Sequence, residues 1–429
     1  MTPTNAFSTA MPTIPTIDCD VVIVGAGIAG LWALHKLSQQ GLSVLLLESQ
    51  AIGSGQTIKS QGIIHGGLKY ALGGTLSSAS EAIADMPNRW QACLEGKGEI
   101  SLQKARVLSH AQYLWSPGSL SGQLMSFFAS KTLKSRVQSL NRTDYPAVFQ
   151  HEDFKGKVYQ LAEWVLDIPS VLSELSKPFQ SQILKINELD GYDLEYAKDD
   201  DITVPTSSTS KPIDSLVIHH QDRRCRLKAR FYIFTTGSHN QSLTHDFPEL
   251  TPTQERPLHM VWGTFPQGVN PQLYGHCLDR SLTPRVTITT HQNQAGQTVW
   301  YLGGQIAEIG VNLSVTQQIA YALEECLALF PWMDFTRVSW DTLRVNRAEP
   351  KQANGQKPDA AFVHRAQNIL LGWPTKLAMA PMLADQIWES IKNDFSAKSS
   401  QSSQASNLID MLQQLAWPCA ALSKSPWDK

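Results

Sequence analysis

The alternation of apolar and polar positions becomes regular at about Asp18. In CDVVIVGAGIAGLWALHKLSQQGLSVLLLE an apolar run is cut by glycines, resumes at helical spacing, stops at Gly41 and closes with a second apolar run ending in Glu48. This is the pattern of strand, glycine turn, helix and strand, one complete βαβ unit. The preceding residues, 1–17, have neither a basic start nor an apolar core. They read as a disordered leader, not a signal peptide or an anchor.

Further on, Ser78 with Glu81 makes a capping box for a helix that Pro87 interrupts, and KARVLSHAQYLW has strand character. Asp167 and Pro169 start a helix in YQLAEWVLDIPSVLSEL. SQILKINEL, YDLEYAKD, SLVIHH and CRLKARFYIFTTG read as successive strands, with DDDITVPTSSTSKP as a polar excursion at a hairpin tip. A second β-rich region runs from RPLHMVWGTF to TVWYLGGQIAE. A helix capped by Ser314 and Gln317 follows, with Ile319, Leu323, Cys326, Leu327 and Phe330 on its buried stripe. NILLGWPTKLAMAPMLADQIWESI supplies a strand, a turn and an amphipathic helix, and the Ser/Gln-rich SAKSSQSSQASN reads as a flexible linker to a short tail.

At 429 residues the chain exceeds the size at which one hydrophobic core stops growing, so two domains are expected. Its 36 basic and 38 acidic side chains leave no field for nucleic acid, and any anion must be bound locally. The six cysteines are scattered, without metal-ligand spacing, which fits a reducing, cytoplasmic setting and argues against structural zinc. No apolar run approaches bilayer length, which leaves at most peripheral membrane contact.

The chemistry starts at Gly25, Gly27 and Gly30. This G-x-G-x-x-G lies between strand and helix, with Glu48 ending the next strand. The first glycine makes the turn, the second admits a pyrophosphate, the third packs helix on strand, and the acid meets a ribose hydroxyl. Free N–H groups at the helix start, around Ile28, would face the phosphates. The fingerprint alone does not separate NAD from FAD. A second strand-to-glycine run, ARFYIFTTGSHN, and ILLGWPTKLAMAPMLADQI near the end add context. Together these resemble the D-amino-acid-oxidase superfamily of FAD enzymes, which includes glycerol-3-phosphate dehydrogenases and 2-hydroxyglutarate oxidases.

The resemblance extends from about Asp18 to about Ile391. It implies an α/β, Rossmann-like FAD-binding domain assembled from residues 18–90, 158–245 and 345–393. A substrate domain with a mostly antiparallel sheet would come from 91–157 and 246–344, leaving 394–429 as linker and tail. Thr236 and Gly237 would then lie near the pyrophosphate and ribose, and backbone at Ile183 or Leu184 near the adenine.

The stretch SQGIIHGGLKYALGG resembles the K-L-I-H-G-G-L-R-Y run of glycerol-3-phosphate dehydrogenases. By that resemblance Ser60, Gly62, Ile63 and Ile64 run along the isoalloxazine. Independently, paired glycines let backbone lie against a flat ring. His65 is left by the ring with three open roles: proton acceptor, covalent flavin attachment or structural hydrogen bonding. Lys69 replaces the family arginine, and a lysine is a point charge, not a planar fork. Tyr70 matches the same run and would be either a further substrate contact or a packed, half-buried tyrosine.

DTLRVNRAEPKQANGQKPDAAF resembles the segment in which an arginine meets the substrate anion. Arg344 and Arg347 are three apart and fall on opposite faces of an extended segment; Arg344 is the expected one. GWPTKLAMAP, with Gly372, Thr375, Lys376 and Leu377, corresponds to a run that offers helix N-terminal N–H groups to the flavin, and Lys376 adds a cation. His291 and Tyr301 lie in the substrate-domain sheet, either as pocket roof or as ordinary sheet residues. These residues imply FAD-dependent removal of hydride from a small, anionic amine or 2-hydroxy acid, with reoxidation by dioxygen or a quinone. An NAD-dependent dehydrogenase and a non-catalytic flavin-binding protein are the alternatives.

Overall fold

The first apolar run forms β1 (Thr16–Val24), the glycine turn leads into α1 (Ile28–Gln39), and β2 (Val44–Glu48) returns parallel to β1. Pairing starts two residues before Asp18, because Ile17 is apolar and buried opposite Leu227. The structure, a computed structural model, describes residues 14–66, 78–117, 137–198, 211–278, 283–353, 355, 358, 360–395 and 402–428, apart from the side chains of 78–82 and 402–407.

The chain continues through β3 (Ile63–Ile64), α2 (Ser78–Leu94), β4 (Val107–Ser109), β5 (Gln112–Ser116), β6 (Val137–Ser139), β7 (Lys157–Leu161) and β8 (Trp164–Leu166). Next come α3 (Ile168–Ser176), β9 (Ile183–Lys185), β10 (Tyr192–Tyr196), β11 (Ile213–His220), β12 (Arg223–Phe234) and α4 (Asn240–Asp246). Asp167 caps α3 as expected, its side chain accepting the Ser170 N–H at 3.2 Å. Then follow β13 (Thr253–Thr264), β14 (Gly275–Cys277), β15 (Val286–Gln292), β16 (Thr298–Gly303), α5 (Gln305–Ile309), α6 (Val315–Leu329) and β17 (Ser339–Pro350). The described chain closes with β18 (Phe362–Ala366), β19 (Ile369–Trp373), α7 (Ala380–Phe395) and α8 (Ser402–Leu415).

Five strands, β19, β12, β1, β2 and β9, run parallel and bring their carboxyl ends to one side of the first sheet. In open α/β sheets that side carries the ligand. Three segments distant in the chain therefore converge there: the β1–α1 turn, the end of β12 at Thr235–Gly237, and the end of β19. α1 is buried on nearly every face, against the sheet on one side and α7 on the other, which is why its sequence is apolar almost throughout.

The second sheet, in the order β17-β13-β16-β15-β14-β5-β7-β6, is antiparallel except for β14 on β5. α6 covers one face, where Ala322, Cys326 and Leu329 meet Val261, Ile288, Trp300 and Leu302. The stripe differs from expectation by a part turn. Leu327 is exposed, and buried Gln318 takes an inward position because its Nε2 donates to the carbonyls of His259 and Ile306. The opposite face, with Met260, Trp262, Val299 and Tyr301, looks toward the chain around Lys59 to Gln61.

Residues 394–429 are not simply linker and tail. α8 begins within the Ser/Gln-rich stretch, and Leu408, Leu412 and Trp417 are buried against Val22, Leu45 and Leu184. Leu408, Met411, Leu412 and Leu415, at helical spacing, form the inward stripe of α8, a pattern the polar composition hides, and Trp417 follows just beyond the helix.

Candidate active site

At the β1–α1 turn the glycines are needed for reasons that can be measured. Gly25 has φ +102°, and a Cβ on Gly30 would lie 2.1 Å from the Gly25 carbonyl oxygen. Gly27 caps α1 without a side chain. Thr57, from the loop after β2, accepts the Ile28 N–H at 3.0 Å, and Glu48 accepts the Ala26 N–H at 2.9 Å and the Gln50 N–H at 2.7 Å. Two N–H groups expected to be free are thus partnered, one by a residue 29 positions away that no local pattern marks. Burial pushes the Glu48 carboxyl up, against the opposing pull of its N–H donors and of Lys185.

The space around this turn fits a bound dinucleotide. Among the described residues, a Cβ on Gly27 would meet only Thr57 Oγ1 at 3.3 Å, one on Gly237 only Gln56 Nε2 at 3.3 Å, and one on Gly55 no atom within 4 Å. Gly237 has φ +63°. Next to it, Thr236 is held by Asn240, whose Oδ1 accepts both its N–H at 3.0 Å and its hydroxyl at 2.7 Å. Ile183 and Leu184 depart from expectation. The Ile183 carbonyl accepts the Ala420 N–H at 3.1 Å, and Leu184 pairs with Leu47 on one side and bridges to Cys419 on the other. Their backbone is occupied by the end of the chain.

The glycine-rich stretch forms strand β3, paired with β8 through Ile63–Val165 and Ile64–Trp164. Gly62 has φ +71°, and a Cβ there would stand 2.1 Å from the Leu166 carbonyl oxygen. A Cβ on Gly66 would lie 3.2 Å from Pro87. At Gly62, close approach of protein and the positive φ by themselves account for glycine, whereas the contact at Gly66 is mild. Ser60 Oγ is buried with no hydrogen-bond partner among the described residues, a polar atom that suits a ligand. Lys69 and Tyr70 lie outside the described residues.

His65 does reach a constellation. Its Nδ1 is 3.2 Å from Glu163 Oε2, while Glu163 Oε1 accepts the Gly66 N–H at 2.8 Å. The His276 ring lies nearly parallel to that of His65, with centroids 5.9 Å apart, and its Nδ1 is 2.8 Å from Thr287 Oγ1. The ligand-type atoms of His65, Glu163 and His276 all fall within 4.8 Å of one another, a grouping of metal-binding residue types that chain spacing could not disclose. Glu163 is buried between β7 and β8 and His276 lies on β14.

The sheet face above this group carries a polar row. Gln61 Nε2 donates to the carbonyls of Tyr301 at 3.0 Å and Thr287 at 3.2 Å, and Tyr301 donates its hydroxyl to the Lys59 carbonyl at 2.8 Å. His291 is fully enclosed, with its Nε2 2.9 Å from Thr289 Oγ1, and burial lowers its pKa to about 4. His291 and Tyr301 are therefore packed sheet residues. Arg344 pairs with His259 on the face covered by α6, and its guanidinium donates to the carbonyls of Val311 and Leu313, both at 2.7 Å. Arg347 pairs with Arg256, in line with Met260 and Tyr301, so it is the arginine on the inner face. Burial and the neighbouring Arg256 lower its pKa.

After Gly372 at the end of β19, Thr375 takes φ +58°, which is strained for a β-branched residue, and its hydroxyl donates to the Ala360 carbonyl at 3.1 Å. The Lys376 N–H is turned back on the Pro374 carbonyl at 2.6 Å, so it is not among the N–H groups presented outward. Leu377 opens a short 3₁₀ helix that packs against β3, which brings this loop beside His65.

A family profile described as "FAD dependent oxidoreductase" matches residues 20–356. A probable FAD-dependent oxidoreductase of Pseudomonas aeruginosa is 43% identical over 380 residues, 88% of this chain and 92% of its own length. The crystal structure of an FAD-dependent oxidoreductase from that organism superimposes with TM-score 0.76 and 35% identity, covering 97% of this chain and 99% of that one. L-α-glycerophosphate oxidase from Mycoplasma pneumoniae, with FAD bound, has TM-score 0.59 at 11% identity over 96% and 98% of the two chains. Glycine oxidase from Geobacillus kaustophilus has TM-score 0.61 at 12% identity over 89% and 97%. The last two likenesses are of fold.

Proposed function

The chain belongs to the FAD-dependent oxidoreductase family, and from that premise we propose that it oxidises a small anionic 2-hydroxy acid at the site facing His65. The observation that carries this reading is the His65–Glu163 pair. An alcohol must lose its hydroxyl proton as its C–H is broken, and a carboxylate-held imidazole is a suitable acceptor. An amine that is already neutral needs no such group.

FAD is the cofactor, and when bound it supplies the two-electron acceptor for the substrate hydride and passes the pair to dioxygen or a quinone. Residues Gly25 to Ile28 would hold its pyrophosphate at the start of α1, with Gly237 facing them across the turn. Glu48 would take a ribose hydroxyl. Ser60 to Ile64 and the loop from Gly372 to Leu377 would border the flavin ring, with Ser60 Oγ as a ready hydrogen-bonding partner.

The protein groups divide the remaining work. Glu163 holds His65 at Nδ1 and so fixes the orientation of the imidazole that takes the substrate hydroxyl proton. Arg347, on the inner sheet face, pairs with the substrate carboxylate in the role first given to Arg344, and Lys376 adds charge from the opposite loop. Desolvation strengthens such an anion pair.

The test is anaerobic loss of the yellow flavin absorbance over a panel of 2-hydroxy acids, D- and L-amino acids, sarcosine and glycerol 3-phosphate. Bleaching by 2-hydroxy acids supports the proposal. Bleaching by amines alone removes the proton-acceptor role from His65, and bleaching by uncharged substrates alone removes the anion site.

A further inference from the structure

Residues 417–428 lie beyond the region matched by the family profile and have no role in the chemistry above. They leave α8 at Trp417, whose Nε1 donates to the Lys185 carbonyl at 2.8 Å. The segment then follows the outer edge of β9, where the Lys185 N–H donates to the Pro418 carbonyl at 2.9 Å and the Ala420 N–H to the Ile183 carbonyl at 3.1 Å. It crosses to the loop between β2 and β3: the Ile52 N–H donates to the Ala421 carbonyl at 2.8 Å and the Ser423 N–H to the Ile52 carbonyl at 3.1 Å. It finishes on the second sheet. The Trp427 ring lies 4.6 Å from that of His291 and 5.4 Å from that of Tyr301, and Asp428 Oδ1 accepts the Gln294 N–H at 2.7 Å.

The loop gripped in this way is the one that shapes the cofactor site. The Gly53 N–H, next to Ile52, donates to the Ala26 carbonyl in the glycine turn at 2.8 Å. Thr57 caps α1, the buried Ser60 hydroxyl has no partner among the described residues, and Lys59 is bonded to the same Tyr301 on which Trp427 packs. The segment is thus attached near both ends of the loop, by a backbone ladder at Ile52 and by aromatic packing behind Lys59.

We propose that residues 417–428 are a strap that holds the 51–61 loop in its FAD-binding shape, so that cofactor exchange requires the strap to open. Its attachment suits that role. Beyond the buried Trp417, a few backbone bonds, the Trp427 ring and the Asp428 carboxylate hold it, while Ala421, Leu422 and Lys424 are exposed, and so residues 418–428 belong with the elements that open before the core does. FAD that binds only the strapped state must in turn stabilise the strap.

Two measurements on the full chain test this. Tryptic cleavage after Lys424 should be at least about tenfold slower in saturating FAD than in the apoprotein, as linkage requires. Trp427→Ala should release FAD at least about tenfold faster with unchanged far-UV circular dichroism. A chain ended after Trp417, which keeps the buried indole, should show the same faster release if Trp427→Ala fails to fold. Equal cleavage with and without FAD overturns the proposal. Release of FAD from the altered strap at the wild-type rate overturns it as well.

Discussion

Glu163 holds His65 and the residue after it at once, Oε2 lying 3.2 Å from His65 Nδ1 while Oε1 accepts the Gly66 N–H at 2.8 Å. A buried carboxylate with both oxygens engaged fixes the position of the imidazole as well as its charge environment. His65→Gln should lower the anaerobic rate of flavin reduction by about 10²–10⁴-fold, the usual span for a lost proton acceptor. Glu163→Gln retains an oxygen for Gly66 and should lower that rate by about tenfold with KM unchanged, because it misplaces the acceptor and not the substrate. A rise in KM alone would mean that Glu163 serves binding.

The glycines separate folding from cofactor binding. Gly62→Ala puts a methyl 2.1 Å from the Leu166 carbonyl at φ +71°, and should cost the apoprotein on the order of 3 kcal/mol or more. Gly27→Ala meets only the Thr57 hydroxyl at 3.3 Å among the described residues and should cost under about 1 kcal/mol. It should nevertheless weaken FAD binding, because the methyl stands where the pyrophosphate would pass. Thermal unfolding of both apoproteins beside FAD titration checks the contrast.

What could be read in advance follows the range of the interactions. The βαβ unit, its glycines and Glu48 are contiguous, so their order and spacing disclosed the turn. Thr57, Glu163 and His276 reach the site only through contacts between distant segments, and nothing local marks them. For Arg344 and Arg347, the two-residue period separated the faces but not which face α6 would cover. The strap was hidden for another reason: Ser and Gln dominate its approach, although Leu408, Met411, Leu412 and Leu415 already have helical spacing.

Arg347 and Arg344 provide an internal control on one strand. Arg347→Met should raise KM for the active 2-hydroxy acid by tenfold or more, about 1.4 kcal/mol for one charge contact. Arg344→Met should leave KM unchanged and cost at most about 1 kcal/mol each for its two bonds to the Val311 and Leu313 carbonyls. Steady-state kinetics of the two variants decide between the faces, and the reverse result would return the anion site to Arg344.

His291 makes the contact between sheet and strap sensitive to acid. Burial holds its pKa at about 4, below the ordinary value of 6.5, and its Nε2 faces the Thr289 hydroxyl, which suits a neutral ring. A folded-state pKa below the unfolded one means that the unfolded chain takes up the proton first. The stabilising contribution is therefore complete above about pH 6.5 and is lost as pH falls toward about 4, on the order of 3 kcal/mol in all. Wild-type protein should lose thermal stability across that window, whereas His291→Gln, with no proton to gain, should follow a flatter profile. Because the Trp427 ring lies 4.6 Å from His291, protonation there should also loosen the strap's anchor. FAD release should then accelerate over the same interval in the wild type and not in the variant. Parallel pH profiles for the two proteins would remove His291 as the source.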